Sequence, residues 1–183
     1  MSSLGKEYLQ TVIRRLKYYK DLGDKTFEQL NDWDIHYQPN EESNSIAIII
    51  QHMSGNMLSR WTNFLDEDGE KDWRKRNDEF TVHDSNKQQL LELWEKGWDC
   101  FFTSIASLKK KDLKLTILIR KEPLSVIDAI NRQLAHYPYH VGQIIHIAKT
   151  IKGKKWKNLS IAKGESLVDT DSTGEVKDPA KKF

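Results

Sequence analysis

Apolar residues recur along most of this chain at intervals of three and four, the period of a helix that buries one face. Leu9, Val12, Ile13 and Leu16 share one side of a first segment, with Arg14, Arg15 and Lys17 turned away from it. That segment is expected to run from Ser3 to Gly23, followed by a polar connector over 24–44 that carries Trp33, His36 and Pro39. Ser43 and Ser45 offer capping hydroxyls to a second helix, whose apolar positions Ile46, Ile49, Ile50, Met53, Met57, Trp61 and Phe64 again step by three and four. In a third helix, over 85–108, Leu91, Trp94, Trp98, Phe101, Ile105 and Leu108 form the seam of a bundle. Leu113, Leu115, Ile117 and Ile119 alternate instead, which predicts a short strand or extended segment. Ser125, with Asp128 three residues on, resembles a capping box and opens a fourth helix to about Ile151. Pro138 is expected to kink that helix or weaken one of its turns.

The fold class expected is therefore all-α, a four-helix bundle with a short extended segment before the last helix. A single domain over 1–166 would be followed by a flexible tail, 167–183, where large apolar residues are scarce. Residues 66–84 (DEDGEKDWRKRNDEFTVHD) form a long charged loop, either a cover for a site or binder of an acidic cofactor, or a plain solvated connection.

Composition narrows the classes of function. The chain has 183 residues, with 29 Lys and Arg against 27 Asp and Glu, a net charge of +2. That balance gives no footprint for nucleic acid. One cysteine excludes an internal disulfide and suits a reducing, cytoplasmic setting. Cys100, among Trp98, Phe101 and Phe102, reads as a small buried hydrophobe rather than a nucleophile. The longest apolar run, Ile46–Ile50, is five residues, too short to span a membrane.

His136 and His140 are four apart on the last helix, on one face and about one turn from each other. With Arg132 and Gln143 they make a polar stripe that carries only one full charge. The second helix has a similar stripe, in which His52 is joined by Ser45, Asn56, Ser59 and Asn63. If the two stripes face each other, three imidazoles meet. Three neutral ligands leave a metal ion one open position, as in catalytic sites. The same three histidines could instead be hydrogen-bonded along a groove, with no metal. His36 and His83 are expected to be solvated loop residues, and His146 projects well away from His136.

The stretches QHMSGNMLSRW (51–61) and RQLAHYPYHVGQI (132–144) resemble the DinB/YfiT-like family of metal-dependent enzymes. The resemblance is nearest to a branch of small bacterial proteins of unassigned function and covers most of residues 3–166. It implies a four-helix bundle that holds nickel or zinc on His52, His136 and His140, often as a homodimer. Characterised relatives include transferases that use low-molecular-weight thiols such as bacillithiol or mycothiol, and a thiol-dependent isomerase. Relatives without known activity also exist, so the resemblance alone does not settle a reaction.

For hydrolysis a carboxylate near the open position would be wanted as general base. The two stripes offer Asn56, Arg132 and Gln143 instead, which favours a coordinated thiolate as nucleophile. Arg132 would hold a cofactor carboxylate or neutralise a leaving group, or else pair with a loop acid. Asn56 and Gln143 would orient the histidines. The expected function is a thiol-dependent S-transferase acting on a small molecule. The alternatives are a metal-dependent hydrolase and a non-catalytic, stress-related protein that binds a metal or small molecule.

Overall fold

The computed structural model describes residues 3–160 and 178–183. Among these residues the chain is mostly helical, with one small two-stranded sheet. Four long helices carry the core: α1 (Leu4–Phe27), α3 (Ile46–Trp61), α4 (Lys87–Ser107) and α5 (Val126–Lys152). A short helix, α2 (Asp32–His36), lies in the first connector. The helix α3 packs on α4 and α5, and α1 packs on α5 and α4. Most of α3 is buried, from Ile46 to Ile50 and again at Met53, Met57 and Trp61.

The helix ends follow local chemistry. Ser45 accepts from the Ile48 N–H, and Ser125 accepts from the Asp128 N–H at 3.2 Å, so both expected caps start helices. Asn31 and Asp34 form a reciprocal capping box, which is why a helix appears inside the polar connector. The first helix does not stop at Gly23 but continues one turn to Phe27. Gly23 is instead a packing residue, since a Cβ there would lie 2.6 Å from the Trp94 ring. The second long helix ends at Trp61, and Phe64 is buried from the turn beyond it. The helix α5 runs on through Pro138, which gives up only its own N–H bond.

The extended segment becomes β1 (Thr116–Ile119), preceded by a 3-10 turn at Asp112–Lys114. It pairs antiparallel with β2 (Glu122–Ser125), Ile119 opposite Glu122. The two turn residues, Arg120 and Lys121, have φ of 57° and 64°. Such turns usually take Asn or Gly. Here the Asp68 carboxylate accepts both backbone N–H groups, at 2.8 and 2.7 Å. The Gly69 N–H also donates to the Leu118 carbonyl at 2.8 Å. The hairpin therefore fastens the start of the charged loop to the body.

The tail expected over 167–183 lies mostly outside the described residues. Its end, 178–183, sits on α1, with Asp178 paired to Arg15 and Ala180 buried.

Aromatic rings fill the core between α3, α4 and α5. Trp98 and Phe101 meet Tyr137 edge to face or nearly so, and Trp61 meets Phe101 in the same way. The buried Tyr137 hydroxyl accepts from Trp61 Nε1 at 2.9 Å and donates to Asn56 Oδ1 at 3.3 Å. Tyr137→Phe would leave both partners unpaired. A loss of about 2 kcal/mol is expected, read as a fall of roughly 4–8 °C in Tm.

Candidate metal centre

His52, His136 and His140 come together between α3 and α5. One ring nitrogen from each lies within 4.8 Å of the other two. The rings stand edge to face, with His52 centred 5.5 Å from His136 and 5.0 Å from His140. His52 is buried and the other two are half-buried. Helical spacing brings His136 and His140 onto one face, and the packing of α3 against α5 brings His52 to meet them.

Each imidazole has its Nδ1 committed to an oxygen. Gln143 Oε1 faces His140 Nδ1 at 2.8 Å, and Gln133 Oε1 faces His136 Nδ1 at 3.3 Å. Glu79 Oε2 takes His52 Nδ1 at 3.0 Å. The Gln143 amide is turned this way by its donated bond to the Tyr139 hydroxyl. An N–H at Nδ1 leaves the Nε2 lone pair free for a metal. The Nε2 atoms of His136 and His140 then face each other at 3.0 Å. Two ligands at about 2.0–2.1 Å from one ion, at angles between square and tetrahedral, stand about 2.9 to 3.4 Å apart. The residues present fit a divalent cation.

Glu79 comes from the charged loop, which does more than connect. Ser59 donates to the Gly69 carbonyl at 2.8 Å, and the buried Arg60 guanidinium donates to the same oxygen. Arg60 and Arg120 both pair with Glu70. From this anchor the loop returns to α3, where Gln51 Nε2 donates to the carbonyls of Glu79 and Thr81. Arg74, its side chain only 1% exposed, grips Glu79 with two parallel bonds of 2.7 and 2.8 Å. Burial pushes the Glu79 pKa up, but the hydrogen bonds and charges of Arg74 and His52 outweigh it and hold the carboxyl below its usual range. Phe80 stacks its ring on His52 with centroids 4.8 Å apart. Gly55 makes this closure possible, because a Cβ there would collide with Glu79 Oε1.

The residues expected to assist fall in different places. Gln143 faces His140 through its Oε1. Asn56 accepts from Tyr137 and has no bond to an imidazole. Arg132 is exposed, and its charge bears on His136 from one turn away. It has no loop acid as partner. His36 is not free in solvent: its Nε2 is 2.7 Å from the Ser85 carbonyl. The residues that sequence reasoning missed are Gln133, Gly55, Glu79, Arg74 and Phe80. Gln133 had a signal, since it stands three before His136 as Gln143 stands three after His140.

Burial favours the neutral form of His136 and His140. Burial lowers the His136 pKa to about 3, helped by the charges of His140, His52, Arg132 and Arg60. Burial also lowers His140, partly opposed by its bond to Gln143.

A model of the family described as a protein of unknown function, DUF1572, matches residues 3–165. The chain belongs to this family. The matched span includes all three histidines and the loop that carries Glu79, so the centre is contained in the DUF1572 domain. No curated protein matches the chain. Among the described residues no helix is long and apolar enough to cross a membrane.

Two outcomes are expected. Gly55→Ala should displace Glu79 and loosen His52, weakening zinc binding about ten- to hundredfold. Competition with a chromophoric chelator would read this, and an unchanged affinity would remove Glu79 from the site. The second concerns pH. Unfolded His136 takes up a proton below about 6.5, and folded His136 does so only near pH 3. The metal-free protein therefore binds fewer protons folded than unfolded across that window. Its stability should be full above pH 6.5 and fall as the pH drops below it. His136→Gln should flatten the fall in Tm between pH 6.5 and 5.

Proposed function

We propose that this DUF1572 protein is a DinB-like four-helix bundle that holds one divalent cation, nickel or zinc, on His52, His136 and His140, and uses it as a thiol-dependent S-transferase. The observation that carries the reading is the pair of Nε2 atoms facing each other at 3.0 Å while every Nδ1 is spoken for. When bound, the ion would lower the pKa of a thiol or water at its open position.

The chain's own residues favour a thiol over water. Glu79 is the carboxylate at the site, and Arg74 and His52 occupy both of its oxygens. It orients His52 and is not free to take a proton from water. A thiol needs no such base, because its proton is already acidic enough to be lost once the sulfur is bound. Gln133 and Gln143 hold the two α5 imidazoles in one tautomer. Phe80 covers His52 and keeps water from that side. On this reading the protein is a cytoplasmic homodimer acting on a small molecule, with no role in binding nucleic acid.

The test begins with elemental analysis of protein purified without a tag or chelator. About one metal per chain is expected, lost in His52→Ala, His136→Ala and His140→Ala alike. The loaded protein should then accelerate attack of a small thiol on 1-chloro-2,4-dinitrobenzene. Metal without any such turnover, across several thiols and electrophiles, would leave a binding protein. No metal, even after zinc and nickel are added back, would overturn the whole reading.

A further inference from the structure

A cavity of about 660 Å³ opens beside the metal centre, between α5 and the connector that leads into α3. Small-molecule sites have volumes of roughly 300–1,000 Å³. Pro39, Ile49 and Ile147 give this cavity an apolar wall. Gln143 lines it too and joins it to the centre, because the same side chain faces His140 Nδ1 at 2.8 Å. Tyr139 stands at the rim, 61% exposed, its hydroxyl accepting from Gln143 at 3.0 Å. The connector wall is held in place by Asn40, whose Oδ1 accepts from the Glu42 N–H at 3.1 Å and from the Ser43 hydroxyl at 3.0 Å.

Two residues of the lining have no explanation within the chain. The first is Gly142. Glycine weakens a helix interior relative to alanine, and the other glycines of the long helices have a packing reason. A Cβ at Gly5, Gly23, Gly55 or Gly97 would come within 3.0 Å of a neighbour. A Cβ at Gly142 would meet nothing within 4 Å, so the bare backbone there leaves room for something outside the chain. The second is Glu42, the one Asp, Glu, Lys or Arg of the lining. It is exposed, and its carboxylate has no ion pair or hydrogen bond among the described residues. A free carboxylate and an exposed aromatic face on one cavity suit an organic cation, the first by charge and the second by its ring quadrupole. An anion would meet Glu42 with no Lys or Arg in the lining to offset it.

We infer that this cavity is a binding site for a small amine, whose ammonium group pairs with Glu42 and whose apolar body lies over Gly142 and against the Tyr139 ring. The site is separate from the open metal position and does not depend on the reaction proposed above. Its occupant would rest against Gln143, the side chain that faces His140, and so would be placed next to the metal centre.

The test reads binding rather than turnover, from backbone amide NMR shifts of the full chain. Three compounds of one shape are titrated: phenethylamine, neutral phenethyl alcohol and the anion hydrocinnamate. Phenethylamine is expected to shift the Gly142 and Asn44 amides and to bind about fivefold more tightly than the alcohol, with hydrocinnamate weaker still. Glu42→Gln should bring the amine down to the affinity of the alcohol and leave the alcohol unchanged. Gly142→Ala, whose Cβ meets no protein atom, should raise Tm while weakening the amine and the alcohol alike. Gly142→Leu should abolish binding of both. Equal affinity for amine and alcohol, or a preference for the amine that survives Glu42→Gln, would overturn the choice of ligand. Shifts that avoid the cavity with every compound would overturn the site. So would a wild-type dimer that Gly142→Leu splits into monomers, since the glycine would then serve a second copy of the chain. None of these results bears on the metal or on thiol transfer, which stand or fall by their own test.

Discussion

The Nε2 atoms of His136 and His140 face each other at 3.0 Å, and with a proton on each Nδ1 their lone pairs repel unless something positive lies between them. That constraint organises this protein's centre. His136 and His140 are committed to it because Gln133 and Gln143 claim the opposite ring nitrogens. A metal-free chain relieves the repulsion by moving one proton to Nε2, and the glutamine amide facing that ring must then turn its N–H toward the bared Nδ1. A cation relieves it with every bond kept. The helix spacing, the glutamines three residues outside the pair and the burial that keeps both rings neutral all serve one arrangement.

His52 is supported differently. Its partner is a charge rather than an amide, and the charge arrives from a loop rather than the same helix. An ionised carboxylate this buried is tolerable only when fully paired, and Arg74 supplies that with two parallel bonds. The loop in turn is pinned by Arg60, Ser59 and the Asp68-capped hairpin turn. The small sheet, remote in sequence from His52, therefore helps to set the angle of that imidazole. Gly55 lies at the crossing point, where the absence of one methyl group lets Glu79 pass close to α3.

Much of this was legible in the residues and some was not. Period three-and-four patterns reveal long helices well, because one buried face repeats along each. The same rule places His136 and His140 together, since their distance is set within one helix. Gly23 misleads because glycine marks both helix ends and close helix crossings, and only the partner, Trp94, tells which. The turn at Arg120 and Lys121 carries no Asn or Gly signal, because a carboxylate about fifty residues earlier holds it. Glu79 was hidden for the same reason. Its role depends on a loop path set by Arg60, Ser59 and Arg74, none of which any local pattern connects to His52.

The full commitment of Glu79 bears on chemistry. A site for activating water wants a carboxylate that is near and uncommitted, whereas here the near carboxylate is committed to Arg74 and His52. On the proposed reading, the nucleophile is delivered by the ligand. The chain's own residues fix the three imidazoles from their Nδ1 side, and Phe80 lies against His52. A committed carboxylate of this kind suits the proposed nucleophile from outside better than one made from solvent.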